Sequence, residues 1–456
     1  MKDAAPGFAE RLAAVRAAYP QAEVAEVYVA DLNGVVRGKL VPIEMLEKLG
    51  QGKMRLPVST LALDIFSVDV PEAGLAIERG DPDGIMIPIE ASIAPMLWAG
   101  RPALQVQCML SDETGTATAE IDPRGVLARV LKRAEGMGLR PIMALELEFY
   151  LIDREAPLPP MNPLAGGRLA RAQVYDMEVM RAFEPVLGEI GAAARALGAP
   201  AETAICEFGP GQFEINLAHQ GDALSACDHI VALKRAVRGV ARGAGLDASF
   251  MAKPFGDMAG SGQHLHLSLT DRTGAPVFAE GEAGGPGAPL RRAVAGVLES
   301  LAPTMLLHAP HLNSYRRFQP GSYAPMVAAW GLDNRGVAVR VPEWTGPAAR
   351  LEARLAGADA NPYLLAAAVL AGALDGIERG AQPADPPRRR EPGLGEGGAL
   401  PLSWAMAEQA FATSPFVTDW LGAEFQRVYG AMKRQERNTL MARVPDIEYD
   451  AYLRVV

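Results

Sequence analysis

Gln263–Leu269 reads QHLHLSL, with His264, His266 and Ser268 alternating with Leu265, Leu267 and Leu269. A β-strand repeats every two residues, so this pattern sets three polar groups on one face and three leucines on the other. Three further stretches alternate in the same way. In Met143–Tyr150 (MALELEFY), Glu146 and Glu148 oppose Leu145, Leu147 and Phe149. In Gln212–Leu217 (QFEINL), Gln212, Glu214 and Asn216 oppose Phe213, Ile215 and Leu217. In Arg350–Leu355 (RLEARL), Arg350, Glu352 and Arg354 oppose Leu351, Ala353 and Leu355. Such strands turn a leucine-rich back toward a core and a charged front toward a site. Carboxylates and imidazoles gathered on that front are costly to bury unless they pair or bind a cation, so the pattern points to ligands for two divalent metals.

Working outward from these strands, Arg124–Gly138 predicts an amphipathic helix leading into the first acidic strand. Tyr175–Leu197, Ala223–Gly243, Leu290–Leu307 and Asn361–Ile377 predict longer helices. Strands and helices alternate, and antiparallel pairing is expected. Upstream, Phe8, Leu12, Val15 and Tyr19 recur at helical spacing until Pro20 stops them. Val24–Ala30 and Val35–Val41 form a hairpin about Asn33-Gly34. Pro42–Leu49 reads as a short helix, and Leu61–Leu110 as strands broken by turns. The organisation that follows is an N-terminal helix over 1–20, a small α+β domain over 21–112 and a large unit over 113–456. The stretch 379–400, rich in Pro, Gly and Arg, reads as an exposed loop.

The chain has 456 residues, 49% apolar and 21% charged, with a formal charge of −10. That balance argues against nucleic acid as a partner and accords with cationic small substrates. Cys108, Cys206 and Cys227 show no CxxC spacing and fit a reduced thiol set. The N-terminus lacks an apolar signal core, and no apolar run reaches the ~18 residues of a membrane span. A cytoplasmic location is expected.

Six segments, in order, resemble the glutamine synthetase family. They are ELEF from Glu146, CEFGPGQFEINL from Cys206, FMAKPFGDMAGSGQHLHLSL from Phe250, NSYRRFQPG from Asn313, DNRGVAVRVP from Asp333 and RLEARLAGADANPYL from Arg350. Taken singly, Glu146 and Glu148 read equally well as an exposed strand face, and Arg335, Arg340 and Arg354 as surface ion pairs. Their joint order and spacing decide otherwise. Trp330 and the methionines near 177–180 read as core packing, and His308 and His311 acquire no role. The resemblance implies an α+β fold: a β-grasp-like N-terminal domain and a catalytic domain with a curved antiparallel sheet flanked by helices. It implies stacked hexameric rings, commonly dodecamers, with active sites between subunits.

It also implies a reaction in which ATP phosphorylates the γ-carboxylate of glutamate and an amine displaces phosphate. By motif position, Glu148, Glu207 and Glu214 would hold one metal, and Glu146, His264 and Glu352 the other. Carboxylate-rich sites suit Mg²⁺, and an imidazole admits Mn²⁺. The same positions place Arg317 and Gly260, with Glu148, on glutamate. Glu207, His266, Ser268, Arg335 and Arg340 fall on the nucleotide side, with Arg335 also on the transferred phosphoryl group, and Arg354 falls beside the reacting carboxyl.

Departures from the ammonia-using members narrow the substrate. Their PGYEAP flap carries a Glu, whereas here Pro320–Pro325 reads PGSYAP and Tyr323 takes the acidic position. Their FDGSS segment carries an Asp, whereas Met54–Ser59 (MRLPVS) has none. An alkylamine offers carbon to bury, at ~0.8 kcal/mol per CH₂, where ammonium offers only charge and hydrogen bonds. RGK at Arg37–Lys39, RLP at Arg55–Pro57, GDPDG at Gly80–Gly84 and Trp330-Gly331 resemble the γ-glutamylpolyamine synthetase branch. A ligase for glutamate and a primary amine, with putrescine or another polyamine leading, is therefore expected. Its competitors are an ammonia-using synthetase, a ligase for a monoalkyl or aromatic amine, and a non-catalytic relative. An amine with a pKa of ~10.4 is neutral in only about one molecule in 2,500 at pH 7. Some group must take its proton, and Tyr323 is a candidate. Asp64, Asp81 and Asp83 are candidates for a diamine's distal ammonium. Ala259 stands where the family has Asn, and Ala204-Ile205-Cys206 where it has a His-rich run. Between Glu378 and Trp404 there is no Tyr, so nucleotidylation there is not expected.

Overall fold

Each of the four alternating segments contributes a strand, and one sheet holds all of them. The computed structural model describes residues 6–279, 281, 284–383 and 397–456. Chain order starts with α1 (Pro6–Ala18), β1 (Val24–Ala30) and β2 (Val36–Pro42), then α2 (Leu46–Gly50). Gly34, at φ +72°, makes the turn between β1 and β2. β3 (Arg55–Pro57), β4 (Asp83–Pro88), β5 (Ala94–Pro95) and β6 (Ala103–Leu110) complete a six-stranded sheet ordered β2-β1-β6-β4-β3, with β5 on β6. β1 and β6 run parallel, a long-range pairing that no local pattern announces. Of Leu61–Leu110, expected as strands broken by turns, the later part supplies β4, β5 and β6, whereas the stretch before β4 carries 3-10 turns (Val58–Ala62, Pro71–Ala73 and Ile77–Arg79) in place of strands. Pro71, Gly74, Gly80 and Pro82 leave runs too short to pair.

α3 (Pro123–Gly136) starts on Asp122, whose carboxylate accepts from the Gly125 N–H. β7 (Leu139–Asp153) follows, then α4 (Met177–Ala196), β8 (Ala201–Cys206), β9 (Gln212–Leu217), α5 (Ala223–Gly243), β10 (Leu246–Ser249) and β11 (Leu265–Asp271). Asp176 and Asp222 cap α4 and α5 in the same manner. After α6 (Ala288–His308) come β12 (Val327–Ala328), β13 (Trp330–Leu332), β14 (Val339–Glu343) and β15 (Arg350–Ala353). α7 (Pro362–Arg379) is buried on nearly every side. It meets α6 so closely that a Cβ on Gly296 would lie 2.1 Å from the Gly372 carbonyl oxygen. The remaining helices are α8 (Trp404–Ala412), α9 (Pro415–Leu421), α10 (Ala423–Met441) and α11 (Asp446–Tyr452).

The second sheet runs β13-β14-β15-β11-β7-β9-β8, with β10 on β7. Its pairings are antiparallel except β13 with β14. Leu147, Phe149, Phe213, Leu265, Leu267 and Leu351 form its back and are fully buried against α4, α5 and other core residues. The fold is thus α+β, with a curved, mostly antiparallel sheet under helices. The expected loop at 379–400 falls largely on 384–396, outside the described residues. Met177, expected in the core, is exposed because it opens α4 at the surface, whereas Trp330 is buried. The three cysteines are buried and unpaired. Among the described residues, no helix is long and apolar enough to cross a membrane.

Candidate active site

Strand register brings the polar faces together. Glu148 on β7 lies directly opposite Glu214 on β9, and His266 on β11 lies opposite Glu352 on β15. Arg340 on β14 is the next neighbour of Glu352 across the sheet. Glu207, just beyond β8, is held by its N–H donating to the Gln212 carbonyl at 3.0 Å. Five carboxylates and two imidazoles result, in three groups whose ligand atoms lie within 4.8 Å of one another. Glu148, Glu207 and Glu214 form one; Glu146, Glu214 and His264 a second; Glu146, His266 and Glu352 a third.

The first group matches the expected ligand set. The expected partnership of Glu146, His264 and Glu352 is split over the other two groups. His264 Nδ1 is 3.0 Å from Glu146 Oε2 and 3.8 Å from Glu352 Oε1, so it stands between them.

The electrostatics are dominated by burial and by repulsion among the carboxylates. Burial, then repulsion from Glu146, Glu148 and Glu207, pushes Glu214 up to about 9. Burial and Glu148 push Glu207 up to about 7. Like charges directly opposed on neighbouring strands destabilise a sheet, and a bound cation removes that repulsion. Oxygen-rich donor sets with at most one imidazole each suit Mg²⁺ or Mn²⁺, so these residues fit the ions that the resemblance implies. Glu146 and Glu352 behave differently. Burial works to raise Glu146, but hydrogen bonds from His264 and His266 outweigh it and hold the carboxyl well below the usual range. Glu352 is likewise buried, yet Arg354 and His264 hold it low.

The cluster lies on the wall of a cavity of about 950 Å³. Glu146, Glu148, Glu207, Glu214, His264, Gly260, Arg317, Tyr323, Arg335, Arg340, Glu352 and Arg354 all line it. Arg317, at the end of a 3-10 turn (Leu312–Arg317), is buried and donates from Nη1 to the Leu355 carbonyl at 2.8 Å. Arg340 donates to Glu352 at 2.9 Å and to Asp333 at 2.6 Å, and Arg354 donates to the other oxygen of Glu352. Tyr323 is exposed on the cavity wall, its ring 5.7 Å from that of Phe208.

The structure does not bring His266 and Ser268 to that wall. His266 sits behind Glu146, 2.9 Å from Oε1, and Ser268 donates to the Ala349 carbonyl at 2.8 Å. On that face His266 is hemmed in by side chains: Glu146, Arg350 Nε at 3.3 Å and the His219 ring at 6.0 Å. Asp64, Asp81 and Asp83 are also absent from the wall. Asp64 is buried and accepts from the N–H groups of Phe66 and Val68 and from Gln435, and Asp81 accepts from Ser59.

Among the wall residues to which the sequence assigned no role are Gln212, Phe208 and Lys253. Gln212 shares the polar face of β9 with Glu214, which is the signal that could have marked it. Lys253 donates from its ammonium to the Met258 carbonyl and bridges by its backbone to Asn313, at 2.8 and 2.9 Å. It fastens the glycine-rich segment to the turn that carries Arg317.

Residues 120–452 match the family description "Glutamine synthetase, catalytic domain". The chain is 40% identical over 429 residues to the γ-glutamylputrescine synthetase PuuA of Escherichia coli strain K12, covering 92% of this chain and 89% of that one. It is 32% identical over 443 residues to the glutamate–isopropylamine ligase of a Pseudomonas species, covering 93% and 94%. Among solved structures, a GmaS/ADP complex superposes with a TM-score of 0.83 at 27% identity, covering 99% of this chain and all of that one. On its sequence, its fold and its gathered acidic strands alike, the chain belongs to the glutamine synthetase family.

Proposed function

We propose that the protein is an ATP-dependent ligase that joins the γ-carboxyl of glutamate to a primary amine, with a polyamine such as putrescine the leading substrate. One observation carries the reading: the carboxylate cluster stands complete while an exposed Tyr323, ring to ring with Phe208, occupies the flap position where ammonia-using relatives carry an acid. Relatives named for putrescine and isopropylamine support an alkylamine over ammonium.

The reaction balances in two steps. The γ-phosphoryl group of ATP passes to a γ-carboxylate oxygen of glutamate, and ADP leaves. The amine nitrogen then attacks the γ-carbonyl carbon, the bond from that carbon to the phosphate oxygen breaks, and the nitrogen gives up a proton as phosphate departs. Glu148, Glu207 and Glu214 would hold one divalent ion, and Glu146, His264 and Glu352, steadied by His266, another. When bound, such ions neutralise phosphate charge and hold the transferring group in line. Arg317 offers a buried guanidinium fork to the glutamate carboxylate. Arg335, Arg340 and Arg354 bring positive charge to the phosphate side. Phe208 and Tyr323 offer aromatic faces to the carbon chain or ammonium of the amine.

The reading includes an oligomer of stacked rings. In support, Leu40, Ile65, Phe66 and Val68 expose apolar side chains on the N-terminal part of this single subunit.

The test is phosphate release with ATP and glutamate against a panel of putrescine, longer polyamines, isopropylamine, ethanolamine and ammonium. Saturation by a polyamine at concentrations far below those needed for ammonium is expected. Saturation by ammonium at or below low millimolar levels would make the protein an ordinary glutamine synthetase.

A further inference from the structure

Gln212 is 1% exposed, and its carboxamide touches three separate parts of the site. Nε2 lies 3.1 Å from Glu148 Oε2, 3.0 Å from the Gly260 carbonyl oxygen and 3.3 Å from Ser261 Oγ. Oε1 accepts from the Gly209 N–H at 2.9 Å. These partners fix the orientation of the amide. Turned over, the NH₂ would face the Gly209 N–H, while the oxygen would face a carboxylate and a carbonyl. An amide, with two N–H donors at one end and an acceptor at the other, serves Glu148 and the Gly260 carbonyl, its two shortest Nε2 contacts, together with the Gly209 N–H.

Each contact reaches a different element. Glu148 belongs to the carboxylate cluster on β7. Gly260 is in the loop packed on Arg317, where an added Cβ would lie 2.8 Å from the Arg317 Cγ. Gly209 is in the turn after Glu207. Glu148 Oε2 also accepts from the Gly262 N–H at 2.8 Å. That oxygen therefore has two protein donors, which leaves Oε1 as the free edge of the carboxylate.

We infer that Gln212 is a positioning residue that couples the metal-binding carboxylates to the glutamate-binding loop, setting Glu148, Gly209 and Gly260 in one rigid arrangement. The inference rests on the glutamate-ligase reading for what enters the pocket. It goes beyond that reading in tying cation and glutamate affinity to one neutral side chain. The logic is that of outer partners which orient metal ligands.

The test uses two binding measurements that involve no amine: Mn²⁺ titration of the metal-stripped protein by electron paramagnetic resonance, and calorimetric titration of glutamate into protein holding Mg²⁺ and ADP. Gln212→Met keeps the length and removes every hydrogen bond. Both affinities should fall together, by about ten- to a hundredfold. Gln212→Glu keeps the oxygen facing Gly209 and sets a second oxygen against the Gly260 carbonyl. It preserves the shape if the methionine variant fails to fold, and its glutamate affinity should fall by at least about tenfold.

Gln173→Met is the control. Gln173 holds the same turn, donating to the Gln212 carbonyl at 2.9 Å, but it bonds to neither Glu148 nor Gly260. It should lower the melting temperature and leave both affinities in place. Unchanged glutamate affinity in Gln212→Glu overturns the inference. So do equal affinity losses in Gln173→Met, which would assign the effect to the turn as a whole. An amine panel favouring ammonium would refute the proposed substrate and leave this result standing.

Discussion

His266 reaches Glu146 with Nε2, 2.9 Å from Oε1, while its Nδ1 accepts from Arg350 Nε at 3.3 Å. Because a guanidinium only donates, Nδ1 is the acceptor and the ring proton sits on Nε2, pointing at the carboxylate. His266 thus orients Glu146 from behind, while His264 faces the cavity. The two histidines should separate on substitution. His266→Ala should raise the Mn²⁺ or Mg²⁺ concentration for half-maximal activity by about ten- to a hundredfold, with activity recovered at saturating metal. His264→Ala should not recover. Metal titrations of both variants check this, and identical curves would refute the division of labour.

The raised carboxyls set a pH dependence. In the folded, metal-free protein Glu207 is pushed up to about 7 and Glu214 to about 9, from an ordinary value of 4.5. The folded state therefore holds protons more tightly than the unfolded state. The stability these groups contribute is complete below the ordinary carboxyl value and is lost as pH rises through 7 and then 9. With EDTA present, the melting temperature should fall between pH 6 and pH 9. Added Mg²⁺ should raise it by an amount that grows over the same range, because the ion displaces those protons. Melting curves at each pH, with and without Mg²⁺, test this. A metal-induced shift that is flat across pH would show that the cluster is not where the ion binds.

The strands of the site were legible because their backs are leucine and phenylalanine at a strict period of two, and a one-residue slip would expose all of them. Leu147, Leu265 and Leu351 are fully buried as that pattern requires. What alternation does not carry is depth. His264 and His266 share a face, yet only one reaches the cavity, because the Glu146, Arg350 and His219 side chains enclose the other. Nor does it carry long-range pairing: β1 beside β6, and β13 parallel to β14, depend on contacts remote in sequence or on loop geometry. Gln212 was visible on the polar face of β9, but its importance lies in a carboxamide spanning three chain segments, which only coordinates disclose.

Phe208 and Tyr323 should set amine preference through carbon burial. Each methylene buried is worth ~0.8 kcal/mol, about fourfold in kcat/KM. In a series of linear alkylamines, the parent protein should gain by up to that factor per added carbon while the chain stays on the rings. Phe208→Ala should flatten the series, leaving ATP and glutamate KM values near those of the parent. Tyr323→Glu should restore measurable ammonium use and lower the preference for the longer amines. If ammonium use is unchanged in Tyr323→Glu, and the alkylamine series keeps its slope in Phe208→Ala, the aromatic pair does not select the amine.

Gly260 is held where no side chain fits. A Cβ there would lie 2.7 Å from the Ala252 carbonyl oxygen and 2.8 Å from Arg317 Cγ. Neither neighbour yields easily: the Ala252 carbonyl accepts from the Ser261 N–H at 2.9 Å, and Arg317 is tied to the Leu355 carbonyl. Overpacking of this kind costs about 1–3 kcal/mol, so Gly260→Ala should melt several degrees lower. The functional loss should exceed the loss of stability, because the displaced group is the guanidinium proposed to hold glutamate. The glutamate KM should rise by about tenfold or more, following the loss of a charge-assisted bidentate contact. The KM for ATP should stay within about a factor of two, since uniform damage to the site would move both constants together. Steady-state kinetics with each substrate varied in turn reads the difference, and equal rises in the two constants would remove Arg317 from the glutamate pocket.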